Sequence, residues 1–212
     1  MKAIIIGGGD APSEELIHRY LDENSIIIAA DGGANVLYNY GINPDYLLGD
    51  FDSIAPHILE KMKTSCPIIN FPIDKDYTDS DLALDKAKEL GASEVIFLGC
   101  TGKRLDHFLG NICVLYRALK MGIKAYIIDQ CNVIYLSDKS LTLEGIEGDS
   151  FSLLSYFENV KGLTIKGAKY PLENFDLSTS NNLTLSNKFK NKEVEIEFSS
   201  GILMIIRAKD KV

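Results

Sequence analysis

The sequence has few features of a membrane or exported protein. Its apolar runs hold about five residues, as in Ile26–Ala30 and Ile202–Ile206, whereas a membrane-spanning helix needs roughly 20. No membrane span is therefore predicted. The apolar stretch near the N-terminus runs directly into Gly7–Gly9 and is too short for the core of a secretion signal. These absences predict a cytoplasmic protein.

Cysteine pairs and clustered basic residues are also missing. The four cysteines are widely spaced and form no CxxC pair, so neither a zinc site nor a disulfide framework is indicated. The formal net charge of −8 argues against binding nucleic acid, because nucleic-acid surfaces carry clustered Lys and Arg. A polyphosphate would be repelled as well, and could bind acidic residues only through a divalent cation. The Walker P-loop pattern is absent, which excludes a phosphotransferase of that type.

The chain has two parts with different sequence patterns. Up to about residue 130, short apolar runs alternate with helical patterns, which predicts an α/β domain with a mostly parallel sheet and helices on both faces. From about residue 131 to residue 212, short β-rich runs such as EVEIEF and NLTLS are separated by Gly, Asn, Asp and Ser. This spacing predicts an all-β sandwich or barrel-like second domain.

Acidic residues follow the predicted strands of the first domain. Asp31 comes directly after SIIIAA and precedes two glycines, and Asp50 and Asp52 lie in the segment Gly49–Ser53. Ligands in open α/β sheets bind at the carboxyl ends of strands. In an extended segment, residues i and i+2 project to the same side. Asp50 and Asp52 are therefore predicted to form a hard-oxygen site of the kind that Mg²⁺ uses.

A third acidic group follows the predicted strand IINF. It holds Asp74, Asp76, Asp79 and Asp81. Thr78 and Asp79 stand where the next helix is predicted to begin, near Ser80, and Asp or Thr commonly caps a helix N-terminus. Any one of these acids alone is therefore better explained as a cap or a solvated turn. Three acidic groups that each follow a strand indicate a binding site.

Positive charge comes in the segment Thr101–His107. A flexible turn with Thr101, Gly102, Lys103 and Arg104 precedes a helix that is predicted to start near Leu105. Backbone donors at a helix N-terminus, together with Lys and Arg, suit phosphate oxygens. For Asp106 three roles stay open: a helix cap, orientation of Arg104, or proton transfer. The GGGD segment at Gly7 indicates either a phosphate loop or a tight turn, since it lacks the full GxGxxG spacing.

Taken together, these segments resemble the signature set of the thiamine pyrophosphokinase family. The resemblance covers most of the chain and keeps the family's order and spacing. The segments are DGGAN (Asp31–Asn35), GDFDS (Gly49–Ser53), DKDYTD (Asp74–Asp79), TGKRLDH (Thr101–His107), GAKYPL (Gly167–Leu172) and STSN (Ser178–Asn181).

The resemblance implies an enzyme that moves a diphosphate group from ATP to thiamine, with AMP leaving. It implies a homodimer with thiamine held between subunits, an ATP- and Mg²⁺-binding domain over 1–130 and a thiamine-binding domain over 131–212. The implied metal ligands are Asp50, Asp52 and Asp79, with Arg104 and Asp106 as further catalytic residues. The ATP contacts are Asp31, Lys75, Thr101, Gly102, Lys103, Arg104 and His107. The thiamine contacts are Asp74, Asp76, Tyr170, Ser178, Ser180 and Asn181.

One residue departs from the family's pattern. Lys75 replaces a glutamine that some members place beside thiamine, and a lysine there would repel the thiazolium cation, so Lys75 is assigned to phosphate. Two other functions stay open at this point. One is a diphosphokinase for another alcohol, such as a hydroxymethylpterin, and the other is a non-catalytic nucleotide sensor. The C-terminal segments and the retained carboxylates count against them.

Overall fold

A computed structural model describes residues 1–71 and 77–209 of the chain. The chain divides into two compact units, Met1–Gln130 and Cys131–Val212. Among the described residues, none of the helices combines the length and the apolar character that crossing a membrane requires.

The first unit is built on six parallel strands. The strands are β1 (Lys2–Ile6), β2 (Ser25–Ala30), β3 (Tyr46–Gly49), β4 (Ile68–Asn70), β5 (Glu94–Leu98) and β6 (Lys124–Ile128), in the order β6-β5-β1-β2-β3-β4. Every neighbouring pair in this order is parallel. Successive residues of β1, Ala3–Ile6, are all buried. Continuous burial means that both faces of the sheet are covered, as in α/β proteins.

In the described part of this unit, five helices connect the strands. They are α1 (Glu14–Tyr20), α2 (Gly33–Asn39), α3 (Pro56–Ser65), α4 (Asp79–Glu89) and α5 (Leu105–Lys120). The helix starts predicted near Ser80 and Leu105 agree with α4 and α5, whereas no pattern pointed to α3. Pro56 stands in the first turn of α3, where its missing N–H costs no hydrogen bond. The α/β class predicted for this half is confirmed.

The second unit is a sandwich of two antiparallel sheets. Its strands follow the order β12-β9-β14-β7 in one layer and β11-β10-β13-β8 in the other. The strands are β7 (Asn132–Ser137), β8 (Leu141–Glu144), β9 (Ser150–Ser155), β10 (Val160–Lys166), β11 (Leu172–Leu177), β12 (Asn187–Lys188), β13 (Glu193–Glu197) and β14 (Leu203–Ala208). Buried and exposed residues alternate along β13, so one face packs on the core. That core includes Phe151 and Phe189, whose rings meet edge to face at 5.2 Å. The predicted all-β class is thus confirmed for this half.

One predicted strand is wrong. The segment NLTLS (182–186) alternates polar and apolar residues but forms a turn that ends with Ser186 at φ +55°. Thr184 is 2% exposed, and its hydroxyl donates to the Leu153 carbonyl oxygen at 2.5 Å. The alternation therefore arises from a turn whose polar side chain is buried and hydrogen-bonded.

Candidate active site

A crevice is expected where the strand order reverses, between β1 and β5. The chain passes from β1 through β2, β3 and β4 on one side and then returns to place β5 on the other side of β1. In open α/β sheets, ligands bind at such a point, outside the carboxyl ends of the strands. The loops that leave β1 and β5 here are those around Gly7–Asp10 and Gly99–Arg104.

These two loops meet backbone to backbone. The Gly9 N–H donates to the Gly99 carbonyl oxygen, and the Asp10 N–H to the Thr101 carbonyl oxygen, both at 2.8 Å. A Cβ added to Gly9 would lie 2.1 Å from the Thr101 oxygen. The glycines of GGGD thus permit a close loop contact.

Three carboxylates gather at the ends of β2 and β3. Asp31 follows β2, and Asp50 and Asp52 follow β3. One carboxylate oxygen from each lies within 4.8 Å of the others. Neighbouring parallel strands bring these residues together although Asp31 and Asp50 are far apart in sequence. The sequence analysis placed Asp31 among the ATP contacts, and the geometry places it among the possible metal ligands.

A turn, rather than an extended segment, joins Asp50 to Asp52. Phe51 has φ +69°, a left-handed conformation that is uncommon for a bulky residue. The Asp52 N–H donates to Asp50 Oδ1 at 3.2 Å, and the Ser53 hydroxyl donates to Asp52 Oδ1 at 2.8 Å. The prediction of an extended i, i+2 arrangement is therefore wrong. Carboxylate hydrogen bonds to the local backbone hold this turn instead.

Asp31 carries an unsatisfied charge. Its Oδ1 is buried and has no hydrogen-bond partner within the described part of the chain. Burial raises the pKa of Asp31. Hydrogen bonds from the Ser53 hydroxyl and the Gly32 N–H to the carboxylate oppose this rise, and the charges of Asp79 and Asp50 add to it by repulsion. A buried carboxylate oxygen that lacks a partner is costly unless a proton or a cation neutralises the charge. A divalent cation with oxygen ligands would provide that neutralisation, so these acids fit Mg²⁺.

Asn35 clamps the loop behind these acids. Its Nδ2 donates to the Ser53 carbonyl oxygen at 2.9 Å, and its Oδ1 accepts from the Ala55 N–H at 3.1 Å. Asn35 lies in the first turns of α2, four residues after Asp31. One amide side chain thus links the Asp31 region to the end of the Asp50–Asp52 turn. The sequence analysis quoted Asn35 within DGGAN and gave it no role.

Helix α4 begins with a capping box. The Thr78 hydroxyl accepts from the Asp81 N–H at 3.2 Å, and the Asp81 carboxylate accepts from the Thr78 N–H at 3.2 Å. Asp81 thus serves as a cap, as one sequence interpretation allowed. Asp79 is the first residue of the helix. Among the described residues, the acids whose oxygens lie within 4.8 Å of one another are Asp31, Asp50 and Asp52, so the predicted metal ligand Asp79 is not part of that group. The predicted contacts Asp74, Lys75 and Asp76 lie outside the described residues.

The segment after β5 presents an ion pair at the start of α5. The Arg104 guanidinium contacts Asp106 through Nε at 3.2 Å and through Nη2 at 2.5 Å. Both side chains are mostly exposed, at 69% and 64%. The hydrogen bond from Arg104 lowers the pKa of Asp106 to about 2. Of the three roles considered for Asp106, orientation of Arg104 agrees with this contact, whereas so weak a base is poorly suited to proton transfer.

The other candidates in this segment differ in exposure. Thr101 and Gly102 are half-buried, whereas Lys103 and His107 are exposed. Gly102 has φ +141°. Asn111 donates from Nδ2 to the Cys100 carbonyl oxygen at 2.8 Å and so ties the segment to the second turn of α5.

The second unit has a cavity of about 370 Å³ beside Tyr170. Tyr170 is 57% exposed. Asn187 fixes the backbone of Tyr170. Its Nδ2 donates to the Tyr170 carbonyl oxygen at 2.8 Å, and its Oδ1 accepts from the Tyr170 N–H at 3.1 Å. The Lys169 ammonium lies 5.4 Å from the centre of the Tyr170 ring. The cavity is lined by Tyr170, Pro171, Leu172, Leu183, Thr184, Leu185 and Asn187.

The predicted contacts Ser178, Ser180 and Asn181 form a turn before this lining segment. The Ser178 and Ser180 hydroxyl oxygens lie 3.1 Å apart, and the Asn181 N–H donates to the Ser178 carbonyl oxygen at 3.0 Å. Asn181 Oδ1 accepts from the Leu183 N–H at 2.8 Å. Asn181 therefore shapes the segment that leads into the cavity.

Comparison with known proteins gives the same family for both units. Residues 17–127 match the family described as "Thiamin pyrophosphokinase, catalytic domain", and residues 135–203 match "Thiamin pyrophosphokinase, vitamin B1 binding domain". The chain is 36% identical over 214 residues to the thiamine pyrophosphokinase of Bacillus subtilis (strain 168), which covers 99% of this chain and 100% of that protein. The crystal structure of thiamine pyrophosphokinase from Bacillus subtilis is similar with a TM-score of 0.90 and 32% identity, over 100% of both chains.

A partial match bears on the choice of acceptor. The 6-hydroxymethyl-7,8-dihydropterin pyrophosphokinase of Pyrococcus furiosus is 25% identical over an alignment of 128 residues. The match covers 47% of this chain and 55% of that protein. The match to the Bacillus subtilis protein spans both units, so a pterin acceptor is not favoured.

Proposed function

The chain belongs to the thiamine pyrophosphokinase family, and we propose that it performs the family's reaction with the residues of the two sites described above. The reaction is the transfer of a diphosphate group from ATP to the hydroxyl of thiamine. The observation that carries the assignment of residues is the cluster of Asp31, Asp50 and Asp52, in which Asp31 Oδ1 has no hydrogen-bond partner within residues 1–71 and 77–209.

These three carboxylates would hold Mg²⁺, with Asp79 as a fourth acid at the start of α4. Carboxylates are the ligands that Mg²⁺ prefers, and the ion usually keeps waters and substrate phosphates in its remaining positions. When bound, Mg²⁺ neutralises phosphate charge and so lets an acidic protein accept ATP. The formal net charge of −8 makes that neutralisation necessary.

The segment Thr101–Arg104 would bind the polyphosphate. Arg104 lies at the N-cap of α5, and backbone N–H groups at a helix start favour anions. Asp106 holds the Arg104 guanidinium, so the cation is positioned before ATP arrives. Lys103 would add charge, His107 would contact ATP, and Lys75, by resemblance to the family, would contact the phosphates.

The chemical step is an in-line displacement at the β-phosphorus of ATP. The thiamine hydroxyl oxygen forms the new P–O bond as it loses its proton, and the bond between the β-phosphorus and the oxygen shared with the α-phosphate breaks, so AMP leaves. Such transfers depend mainly on positioning and on neutralisation of charge. The carboxylate cluster and Arg104 would supply both.

The cavity beside Tyr170 would accept thiamine. Its volume of about 370 Å³ is within the range of small-molecule sites, which are mostly apolar with a few polar groups. The exposed Tyr170 ring offers a face for the thiazolium cation, because aromatic rings attract cations. Asp74 and Asp76, by resemblance, and the turn of Ser178, Ser180 and Asn181 would complete the site.

We also propose a cytoplasmic homodimer. None of the four cysteines forms a disulfide, as expected in a reducing compartment. Apolar side chains are exposed in both units, with Leu105 at 69% and Leu183 at 61%, and exposed apolar groups are common at subunit interfaces. Sedimentation equilibrium of the purified protein tests this, since a monomer at all concentrations would contradict it.

The function is tested by AMP release from Mg²⁺ and ATP with thiamine, a hydroxymethylpterin or no acceptor. Thiamine-dependent AMP, with thiamine diphosphate as co-product, is expected. Release only with the pterin would change the acceptor. Binding of ATP without AMP release under any condition would indicate a nucleotide sensor.

A pair of variants tests the carboxylate cluster. Asp52→Asn should abolish turnover with the fold intact, because it removes a charge that Mg²⁺ requires. Asp22→Asn is the matched control: Asp22 pairs with Lys2 at the opposite, amino end of β1 at 2.8 Å, so activity should persist. Near-normal activity of Asp52→Asn would contradict the assignment.

A further inference from the structure

Arg117 joins two carboxylates of α4 from the neighbouring helix α5. Its Nη1 donates to Asp81 Oδ1 at 2.6 Å, and its Nη2 donates to Asp85 Oδ1 at 2.9 Å and to Asp85 Oδ2 at 3.2 Å. The side chains of Arg117 and Asp81 are 30% and 15% exposed. A guanidinium can hold two acceptors at once because its N–H groups form a rigid fork.

The contact with Asp81 reaches the start of α4. While Asp81 Oδ1 accepts from Arg117, its Oδ2 accepts from the Thr78 hydroxyl at 2.8 Å and from the Thr78 N–H at 3.2 Å. Arg117 also lies over the Tyr77 ring, with its guanidinium carbon 5.5 Å from the ring centre. Arg117 therefore contacts residues on both sides of Asp79, the first residue of the helix.

We propose that Arg117 is a positioning residue for the metal site: it fixes the first turn of α4 and thereby positions the Asp79 carboxylate. The proposal rests on the proposed function, in which Asp79 and Asp31 belong to one Mg²⁺ site. Residues that orient metal ligands without touching the metal commonly change metal affinity by about 10–100-fold when they are removed.

The test measures metal binding directly and independently of turnover. The full-length protein is titrated with Mn²⁺ in the presence of a non-hydrolysable ATP analogue, by calorimetry, and its melting temperature is recorded. Arg117→Gln should weaken Mn²⁺ binding about tenfold. Asp85→Asn is the matched control, since it removes an acceptor of the same guanidinium one turn beyond the cap, and its Mn²⁺ affinity should stay within about twofold of wild type.

A second pair of variants separates positioning from general destabilisation. Asp81→Asn should weaken Mn²⁺ binding about as much as Arg117→Gln, and the double variant should be no weaker than the worse single, because both changes break one link. Arg117→Lys keeps the charge but loses the fork, so its affinity should lie between those of wild type and Arg117→Gln. In turnover assays, the Mg²⁺ requirement of Arg117→Lys should rise while its KM for thiamine stays unchanged.

Three results would overturn the proposal. The first is wild-type Mn²⁺ affinity in Arg117→Gln or, if that variant does not fold, in both Arg117→Lys and Asp81→Asn. The second is additive losses in the double variant. The third is absence of Mn²⁺ binding by the wild type, which would overturn the proposed metal site itself and not only the role of Arg117.

Discussion

Replacing Asp31 with Asn should stabilise the metal-free protein and inactivate the enzyme. Asp31 Oδ1 is buried without a hydrogen-bond partner among the described residues, and an unsatisfied buried acceptor costs about 1–3 kcal/mol. An Asn side chain removes the charge, and its N–H groups can donate to the neighbouring carboxylates of Asp50 and Asp52. Because the residue is only half-buried, we expect a gain of about 1 kcal/mol, at the lower end of that range. Asn also tolerates the left-handed backbone at this position, where φ is +45°.

The assay is scanning calorimetry in EDTA and again with Mg²⁺ and an ATP analogue. A gain of about 1 kcal/mol raises the melting temperature of a chain of this size by about 2–4 °C. The wild-type protein should gain stability from Mg²⁺. Asp31→Asn should gain little, because the variant lacks the half-buried charge at position 31 that the cation would neutralise.

The effect should depend on pH in a defined direction. The pKa of Asp31 is raised above 3.8 by burial, so the folded protein holds this proton more tightly than the unfolded chain. The penalty is therefore absent below 3.8 and develops as the pH rises through the folded pKa. The advantage of Asp31→Asn in EDTA should shrink as the pH falls toward 3.8.

The control variant is Asp22→Asn. The hydrogen bond with Lys2 lowers the pKa of Asp22 to about 2, so its charge favours folding and the variant should melt no higher than wild type at neutral pH. If Asp31→Asn melts at or below the wild-type temperature in EDTA, the Asp31 carboxylate does not destabilise the metal-free protein, and the prediction is wrong.

Three further predictions concern the loops and the second unit. Gly9→Ala should lower the melting temperature and the activity, since its Cβ would lie 2.1 Å from a backbone oxygen, whereas Gly110→Ala, with open space around it in α5, should gain about 0.5–1 kcal/mol in calorimetry. Asp106→Asn should raise the KM for ATP, because Arg104 loses its partner, but should leave the shape of the pH–rate profile from about pH 6 to about pH 9 unchanged, since a carboxyl with pKa about 2 stays ionised there. Lys169→Gln should lower the KM for thiamine about two- to fivefold, because a competing cation beside the tyrosine ring is removed.

Each of these has a contrary outcome. Equal melting temperatures of Gly9→Ala and Gly110→Ala would show that the two loops are not tightly apposed. A shift of the acidic limb in Asp106→Asn would give that residue a role in proton transfer. An unchanged or higher KM for thiamine in Lys169→Gln would place the thiazolium away from the ring of the neighbouring tyrosine.

Sequence patterns predicted the location of the site better than its construction. The rule that ligands bind at the carboxyl ends of parallel strands pointed to Asp31, Asp50 and Asp52 before the strand order was known. It could not group Asp31 with Asp50 and Asp52, because that depends on the pairing of β2 with β3. The segment GDFDS also gave no sign that Phe51 has a left-handed backbone conformation, because glycine and asparagine adopt that conformation far more often than phenylalanine does.

The residues that hold the site in place were the hardest to predict. Arg117 meets Asp81 across 36 positions of sequence, and no local pattern marks an arginine on the side of a helix as a partner of a distant cap. The roles of Asn187 and Thr184 in the second unit were equally hard to predict. Thr184 is a buried polar residue, and its place in NLTLS gave the alternating pattern of a strand. Long-range hydrogen bonds of this kind depend on tertiary structure and are not encoded in neighbouring residues.

The position of β1 has a consequence for how the protein is made. β1 leaves the ribosome before either of its neighbours, yet it lies between β2 and β5, and β5 begins only at Glu94. At synthesis rates of about 5–20 residues per second, one edge of this strand waits roughly 5–20 seconds for its partner. During that time the apolar run Ala3–Ile6 has an open hydrogen-bonding edge, which favours pairing with other nascent chains. Slowing of translation before codon 94 should therefore increase aggregation more than slowing after it.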